Sequence, residues 1–168
     1  KLISMSQSQT LEIGTLYSNA EIMAALGVGN AGGIRLKYED NQLRRIVILT
    51  SLPGLHGAGE NPYHDRLDGD VLTYTAAGKT GEQALSGPNA RLTDQRTLDF
   101  PVHCFALIAS RRDRNVGPQR WKYIGLLEYL RHYHDTQLDA SGVVRKVWLF
   151  EFRIHTECPS VAVAHDIE

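Results

Sequence analysis

The sequence has few cysteines, no long apolar run and little net charge, and each shortage excludes a class of protein. Two cysteines, Cys104 and Cys158, cannot form a disulfide framework, so a reducing compartment is favoured. No apolar stretch approaches the roughly 20 residues that a membrane helix needs, so we expect no membrane partner. The first ten residues lack the apolar core and cleavage site of a signal peptide, and we therefore expect a cytoplasmic protein.

The net charge of -1 hides an uneven distribution along the chain. Residues 91–153 hold 11 basic and 7 acidic side chains, residues 1–90 hold 7 and 9, and residues 154–168 hold 3 acidic and no Lys or Arg side chains. Attraction to phosphate depends on local charge, so the middle of the chain could face a nucleic acid. A solvated surface with uneven charges explains the same numbers, and charge alone leaves the partner open.

The patterning predicts an α+β domain with about six strands and one or two short helices. Ser18, followed three residues later by Glu21, is typical of a helix start. A second short helix is predicted within residues 89–96. Alternating and β-branched segments predict strands at residues 34–38, 45–50, 70–75, 101–109, 121–130 and 143–154. This number and spacing of strands favours a twisted β-barrel.

The length of 168 residues fits one domain. We place that domain at residues 11–156. Residues 1–10 are expected to be a leader, either disordered or added in cloning, because an internal Met5 follows the first four residues. Residues 157–168 are expected to be an acidic tail or the start of a linker.

The most informative stretch runs from Tyr63 to Thr75 and continues through Gly81-Glu-Gln83 to Asn89-Ala-Arg-Leu92. It resembles the SRA (SET- and RING-associated, or YDG) domain, and more closely the SRA-like domain of bacterial McrA-type modification-dependent restriction endonucleases. Further segments that fit the resemblance are Leu16–Ile22, Gly32–Ile34, Trp121–Gly125 and Val147–Arg153, so it covers residues 12–154. The chain departs from the pattern at Ala31, Ala76 and Glu82, which bears on base preference more than on fold.

The resemblance implies an SRA/PUA-like fold that reads a modified cytosine, 5-methylcytosine or 5-hydroxymethylcytosine, in double-stranded DNA by base flipping. A flipped base needs flat side chains to stack on and hydrogen-bond partners for its polar edge. Tyr63 and Tyr74 occupy the aromatic positions, and Asp65, nine residues before Tyr74, is placed to accept the cytosine amino proton. Thr75 is the remaining candidate of this pocket.

Basic and loop residues are the candidates for contact with the DNA backbone or for filling the space that a flipped base leaves. They are His56, in a loop rich in glycine and proline, and the arginines Arg111, Arg112, Arg114 and Arg120, which flank a Gly-Pro loop. A solvated turn is the simpler interpretation of each.

We predict a non-catalytic binding domain, with no cofactor and no metal, whose nuclease activity lies on a separate domain of the full-length protein. Two alternatives stay open. The same fold could bind another DNA modification, glucosylated cytosine or phosphorothioate, or modified RNA. The chain could instead be a small metal-dependent nuclease that uses His132, His134, Asp68 and Asp70, although no zinc-ligand spacing accompanies them.

Overall fold

The computed structural model describes residues 11–52, 64–79, 81–109, 119–139 and 141–156. These residues form eight strands, two short α-helices and one 3-10 helix. The elements in chain order are β1 (Leu16–Tyr17), α1 (Asn19–Leu26), β2 (Ile34–Glu39), β3 (Gln42–Thr50), β4 (Arg66–Asp68), β5 (Val71–Thr75), α2 (Pro88–Arg91), the 3-10 helix (Asp94–Arg96), β6 (Val102–Ala109), β7 (Arg120–Leu138) and β8 (Val144–His155). No helix among these residues is long and apolar enough to span a membrane.

The strands belong to one sheet with the order β2-β3-β6-β7-β8-β5-β4, and β1 pairs with β7 outside this path. Neighbours are antiparallel except for β3 and β6, which run parallel. A parallel pair needs a long crossover, and the whole segment between β3 and β6 serves as that connection. Because β3 and β6 run parallel, their last residues, Thr50 and Ala109, lie at the same end of the sheet.

Helix α1 begins where the sequence predicts. The hydroxyl of Ser18 accepts the backbone N–H of Glu21 at 3.1 Å, and the Glu21 carboxylate accepts the backbone N–H of Ser18 at 2.7 Å. These reciprocal bonds satisfy donors that a helix start leaves free. Gly27 ends the helix with φ 68°, a left-handed conformation that glycine adopts without strain.

Strand β3 lies between two apolar clusters, which explains its unbroken β-branched and aliphatic sequence. Ile46 and Ile48 face the main core, with Val102 and Cys104 of the neighbouring β6. Val47 and Leu49 face a second cluster that helix α1 closes with Ile22 and Leu26. A strand buried on both faces has a continuous apolar sequence and does not alternate between apolar and polar residues.

The predicted α+β class, helix α1 and all six predicted strands are confirmed. Two short strands, β1 and β4, were not predicted, and β7 continues eight residues beyond the predicted end at residue 130. Its polar extension stays a strand because it pairs with β8 from Arg131↔Glu151 to Leu138↔Val144. The barrel is supported only in a loose sense, since within the described ranges no ladder joins edge strand β2 to edge strand β4.

Candidate functional site

Asp65 joins two strands that three other strands separate in the sheet. Its Oδ2 accepts the hydroxyl of Thr50, the last residue of β3, at 2.6 Å. Its Oδ1 accepts the backbone N–H of Thr75, the last residue of β5, at 2.7 Å. Strands β6, β7 and β8 lie between these two in the sheet order, so the sheet curls until both strand ends meet at one carboxylate.

The Asp65 carboxyl is buried, with 4% of its surface exposed, and its burial raises its pKa from 3.8 to about 6. Four donors act in the opposite direction, lowering the pKa: the Thr50 hydroxyl, the backbone N–H and hydroxyl of Thr75, and the backbone N–H of Ser51. A carboxylate offers about four acceptor positions. Both oxygens of Asp65 therefore already accept hydrogen bonds from the protein, one from Thr50 and one from Thr75.

The hydroxyl of Thr75 also accepts a hydrogen bond from Gln137, whose Nε2 lies 3.3 Å away. Gln137 belongs to the extended part of β7 and lines an open cavity of about 410 Å³. His64 and Arg66, which flank Asp65 in the sequence, line the same cavity with the apolar side chain of Leu149. An open space with both polar and apolar walls, whose lining includes the acidic Asp135 as well as Arg66, thus lies beside Thr75.

Tyr74 lies in the main core and is 4% exposed. Successive strand residues point to opposite faces, so its ring leaves β5 on the face opposite the Thr75 side chain. A Cβ on Gly33 would stand 2.9 Å from the Tyr74 hydroxyl, so the ring reaches the start of β2. Tyr74 directly precedes Thr75, whose backbone N–H donates to Asp65, but the stacking of Tyr74 on a base stays a prediction.

The segment after Thr75 is held by side chains that the sequence analysis did not assign. Gln83 donates from Nε2 to the carbonyls of Ala76 at 2.6 Å and Gly78 at 3.1 Å, and its Oε1 accepts the backbone N–H of Trp148 at 2.8 Å. The side-chain amide thus extends the sheet beyond the end of β5. Gln83 belongs to the Gly81–Gln83 motif that carries the resemblance, so the motif was a signal for this role.

Asn89 and Arg145 complete the attachment of this segment. Asn89 accepts the N–H of Ala77 at 2.8 Å and donates to the carbonyls of Ala77 at 3.1 Å and Ala84 at 3.0 Å. Arg145, 3% exposed, donates from Nη1 to the carbonyls of Gly78 at 2.5 Å and Gly81 at 3.2 Å. The backbone that follows Thr75 is therefore fixed in place by buried polar side chains.

Several predicted contact residues lie outside the described residues, namely Tyr63, His56, Arg111, Arg112 and Arg114. Arg120 is described, and it is the half-buried first residue of β7, paired with Ala109 at the end of β6. Its Nη1 donates to the carbonyl of Gln119 at 2.9 Å. Arg120 therefore lies at the end of the sheet where β3 ends at Thr50. Its contact with DNA stays a prediction.

The residues of the nuclease alternative have other neighbours in the structure. His132 stacks on Phe150 with ring centres 5.5 Å apart, and a nitrogen of its ring lies 2.5 Å from the Tyr129 hydroxyl. Asp68 and Asp70 flank the turn between β4 and β5, where Asp70 pairs with Arg153 at 3.1 Å. Within the part of the chain that the structure describes, no group of three or more His, Cys, Asp or Glu side chains could hold a metal ion.

No protein-family model and no curated protein matches the sequence. Solved structures match the fold. An SRA domain of SUVH5 in complex with fully methylated CG DNA is 22% identical with a TM-score of 0.60, over 86% of this chain and 89% of that one. AspBHI, a DNA modification-dependent restriction endonuclease, is 15% identical with a TM-score of 0.63, over 92% of this chain and 44% of that one.

A third similar structure holds the sulfur binding domain and SRA domain of ScoMcrA complexed with phosphorothioated DNA. It is 15% identical with a TM-score of 0.61, over 93% of this chain and 45% of that one. The chain thus spans less than half the length of AspBHI and of the ScoMcrA chain. These likenesses show that the chain has the SRA fold, as the sequence resemblance implied.

Proposed function

We propose that this chain binds double-stranded DNA that carries a modified cytosine, with the modified base turned out of the duplex and held beside Asp65. The observation that carries the proposal is the buried carboxylate of Asp65 at the convergence of β3 and β5, within an SRA fold. The SUVH5 and AspBHI neighbours, by their descriptions, bind methylated DNA or act in a modification-dependent way.

The chemistry of Asp65 suits the amino group of cytosine. A pKa of about 6 leaves the carboxylate ionised at neutral pH, so it acts as an acceptor in a site from which water is excluded. A hydrogen bond to a charged group is worth about 1.5–3 kcal/mol. This gain helps to offset the few kcal/mol that unstacking and unpairing a base costs.

The surroundings of Asp65 suit the remainder of the nucleotide. Arg66 is exposed beside the cavity and carries a positive charge that can meet a phosphate, and His64 lines the same space. The apolar side chain of Leu149 on this cavity gives a wall against which a methyl or hydroxymethyl group can pack. Arg120, at the start of β7, is a further candidate for the DNA backbone.

In this proposal the chain reads DNA and cleaves none itself. It serves as the recognition module of a modification-dependent endonuclease, and the nuclease domain lies elsewhere in the full-length protein. The structural similarity to AspBHI, of which the chain spans 44%, supports the assignment of recognition and cleavage to separate domains.

The test is a titration of matched duplexes that differ only in one cytosine: unmodified, methylated or hydroxymethylated. Fluorescence anisotropy at one fixed salt concentration is required, because phosphate contacts make affinity strongly salt-dependent. We expect one modified duplex to bind at least about tenfold more tightly than the unmodified one, a difference of about 1.4 kcal/mol. Equal, salt-sensitive binding to all three duplexes would contradict the proposal.

A second candidate ligand is a backbone phosphorothioate, since the ScoMcrA structure that shares this fold was obtained with phosphorothioated DNA. That structure also contains a sulfur binding domain in addition to its SRA domain. Adding a phosphorothioate duplex to the same titration separates the two candidates. Preference for it over methylated and hydroxymethylated duplexes would favour the second.

A further inference from the structure

The three most exposed large apolar side chains among the described residues lie together, at the tip of the hairpin that β7 and β8 form. Val144 is 65% exposed, Val143 is 59% exposed and Leu138 is 52% exposed. Leu138 pairs directly with Val144 across the two strands, and Val143 precedes Val144. We call these three residues the hairpin tip. Single exposed apolar residues need no explanation, whereas a cluster of them marks a contact surface.

The turn that carries the hairpin tip is held in place by Asp139. Its Oδ1 accepts the backbone N–H of Ser141 at 2.8 Å and that of Val143 at 2.9 Å. Its own backbone N–H donates to the carbonyl of Val143 at 2.8 Å, and its carbonyl accepts the N–H of Gly142 at 2.9 Å. The apolar side chains are therefore presented on a pre-formed turn, which lowers the entropy cost of any contact they make.

The hairpin tip adjoins the proposed base site. Leu138 directly follows Gln137, whose Nε2 lies 3.3 Å from the Thr75 hydroxyl. Leu138 and Val144 line the open cavity of about 410 Å³ beside Thr75. Thr75 in turn donates its backbone N–H to Asp65 at 2.7 Å. A duplex whose base entered at Asp65 would therefore lie close to the hairpin tip.

The size of the hairpin tip favours a base stack over a second protein as its partner. A specific protein interface buries roughly 800 Å² on each partner, far more than three aliphatic side chains supply. A base step, in contrast, is opened by one or a few apolar side chains, and leucine is among those that do so. Arg66 on the cavity and Lys146 beyond Val144 are exposed cations that can meet phosphates. The nearby carboxylates of Asp135 and Asp139 accept backbone N–H groups.

We propose that the hairpin tip is an apolar wedge that enters the duplex in the space left by the flipped base. Turning a base out of the stack costs free energy, because stacking and pairing are lost. Apolar side chains in the vacated space pack against the neighbouring base pairs and offset part of this cost. Asp65 then holds the base that has left, and the hairpin tip stabilises the duplex that remains. This inference rests on the proposed function, because a wedge of this kind needs a flipped base.

Replacing the whole hairpin tip by threonine tests the wedge while keeping the hairpin. Leu138→Thr, Val143→Thr and Val144→Thr together exchange apolar surface for hydroxyl groups, and threonine favours a strand. Each position is more than half exposed, so little stability should be lost. Leu98→Thr, at a side chain that is 51% exposed in the segment before β6, is the matched control. Val144→Thr alone repeats the test if the triple variant does not fold.

The titration uses two duplexes that carry the modified cytosine preferred by the parent protein. In the first duplex a guanine stands opposite that cytosine. In the second a pyrene nucleotide stands there, and its bulk fills the space of the base pair in advance. We expect the triple variant to bind the first duplex about tenfold more weakly than the parent does. On the second duplex the two proteins should agree within about twofold, and Leu98→Thr should match the parent on both.

Equal losses on the two duplexes would indicate contact with a groove and would overturn the wedge, as would no loss on either. A parent protein that sediments as a dimer where the triple variant sediments as a monomer would also overturn it, because a second copy would then cover the hairpin tip. In each of these cases a parent that still prefers modified DNA leaves the proposed function standing. A parent without that preference overturns the proposed function and the wedge together.

Discussion

Asp65 and Thr50 form a 2.6 Å hydrogen bond that ties the segment before β4 to the end of β3, far away in the sheet order. The same carboxylate holds the end of β5 through Thr75. One side chain thus links the two strand ends and supplies the ionisable group of the proposed site. Changes at Asp65 should therefore affect stability and selectivity together, and the two effects must be measured separately.

Replacing Asp65 by Asn should reduce the preference for modified DNA more than overall DNA binding. Asparagine keeps the shape, but its amide nitrogen cannot accept a hydrogen bond. We expect a loss of about 10- to 100-fold in affinity for the modified duplex, the value of a hydrogen bond to a charged group. Anisotropy titration of modified and unmodified duplexes measures it.

The control for this variant is Asp135→Asn, which removes an equal charge at an exposed position of the neighbouring cavity. It should change the affinity for both duplexes by the same small factor. Asp65→Ala, which leaves the Thr50 hydroxyl and the Thr75 N–H without this acceptor, is the harsher variant and needs a check of folding first. Equal losses on both duplexes in Asp65→Asn would remove Asp65 from base recognition.

The raised pKa of Asp65 also predicts that the stability of the fold depends on pH. Its pKa is about 6 in the fold against an ordinary value of 3.8, so the folded state binds more protons between these values. Protonation of Asp65 therefore adds roughly 3 kcal/mol to the free energy of unfolding below pH 3.8. This contribution is lost as the pH rises through about 6. Urea unfolding of Asp65→Asn across this range should lack this contribution.

The lowered pKa of His103 changes stability with pH in the direction opposite to that of Asp65, over an overlapping pH range. Burial lowers its pKa from 6.5 to about 3, and the nearby charge of Arg45 adds to the effect. Its contribution to stability is full above pH 6.5 and is lost as pH falls through about 3, because the unfolded chain gains the proton first. We expect His103→Gln to gain stability, relative to the parent, as pH falls from about 6 to about 4. An unchanged pH slope in urea unfolding would contradict this.

The architecture was predictable because its signals are local. The capping box at Ser18 and Glu21 and the apolar run of β3 each determine an element from neighbouring residues. The convergence at Asp65 depends on the curl of the whole sheet, which no local pattern encodes. Gln137 and Arg145 were missed for the same reason, since each acts on a residue more than 60 positions away in the sequence.

A close contact between Gly33 and Tyr74 predicts a coupled pair of substitutions. A Cβ at position 33 would stand 2.9 Å from the Tyr74 hydroxyl and 3.4 Å from the carbonyl of Leu49. Gly33→Ala should therefore destabilise the fold by about 1–3 kcal/mol. Removing the hydroxyl with Tyr74→Phe relieves part of the overlap, so the double variant should be more stable than the sum of the single effects, by about 0.5 kcal/mol or more.

Urea unfolding of the four proteins in this cycle measures the coupling. Gly29→Ala is the control, because a Cβ there meets nothing within 4 Å. Additive effects within about 0.3 kcal/mol would show that the alanine is accommodated by movement of β2 rather than of the Tyr74 ring.

Asn89→Ala should loosen the backbone that follows Thr75 without unfolding the sheet. Asn89 satisfies three backbone groups, of Ala77 and Ala84, and is itself 6% exposed. Loss of these bonds leaves buried groups unpaired and should cost about 2–3 kcal/mol. Hydrogen exchange at the Ala77 amide should accelerate by at least about tenfold, while the amide of Ile48 in β3 keeps its protection. Asn30→Ala, at an exposed position, is the control, and equal acceleration at both amides would show global rather than local destabilisation.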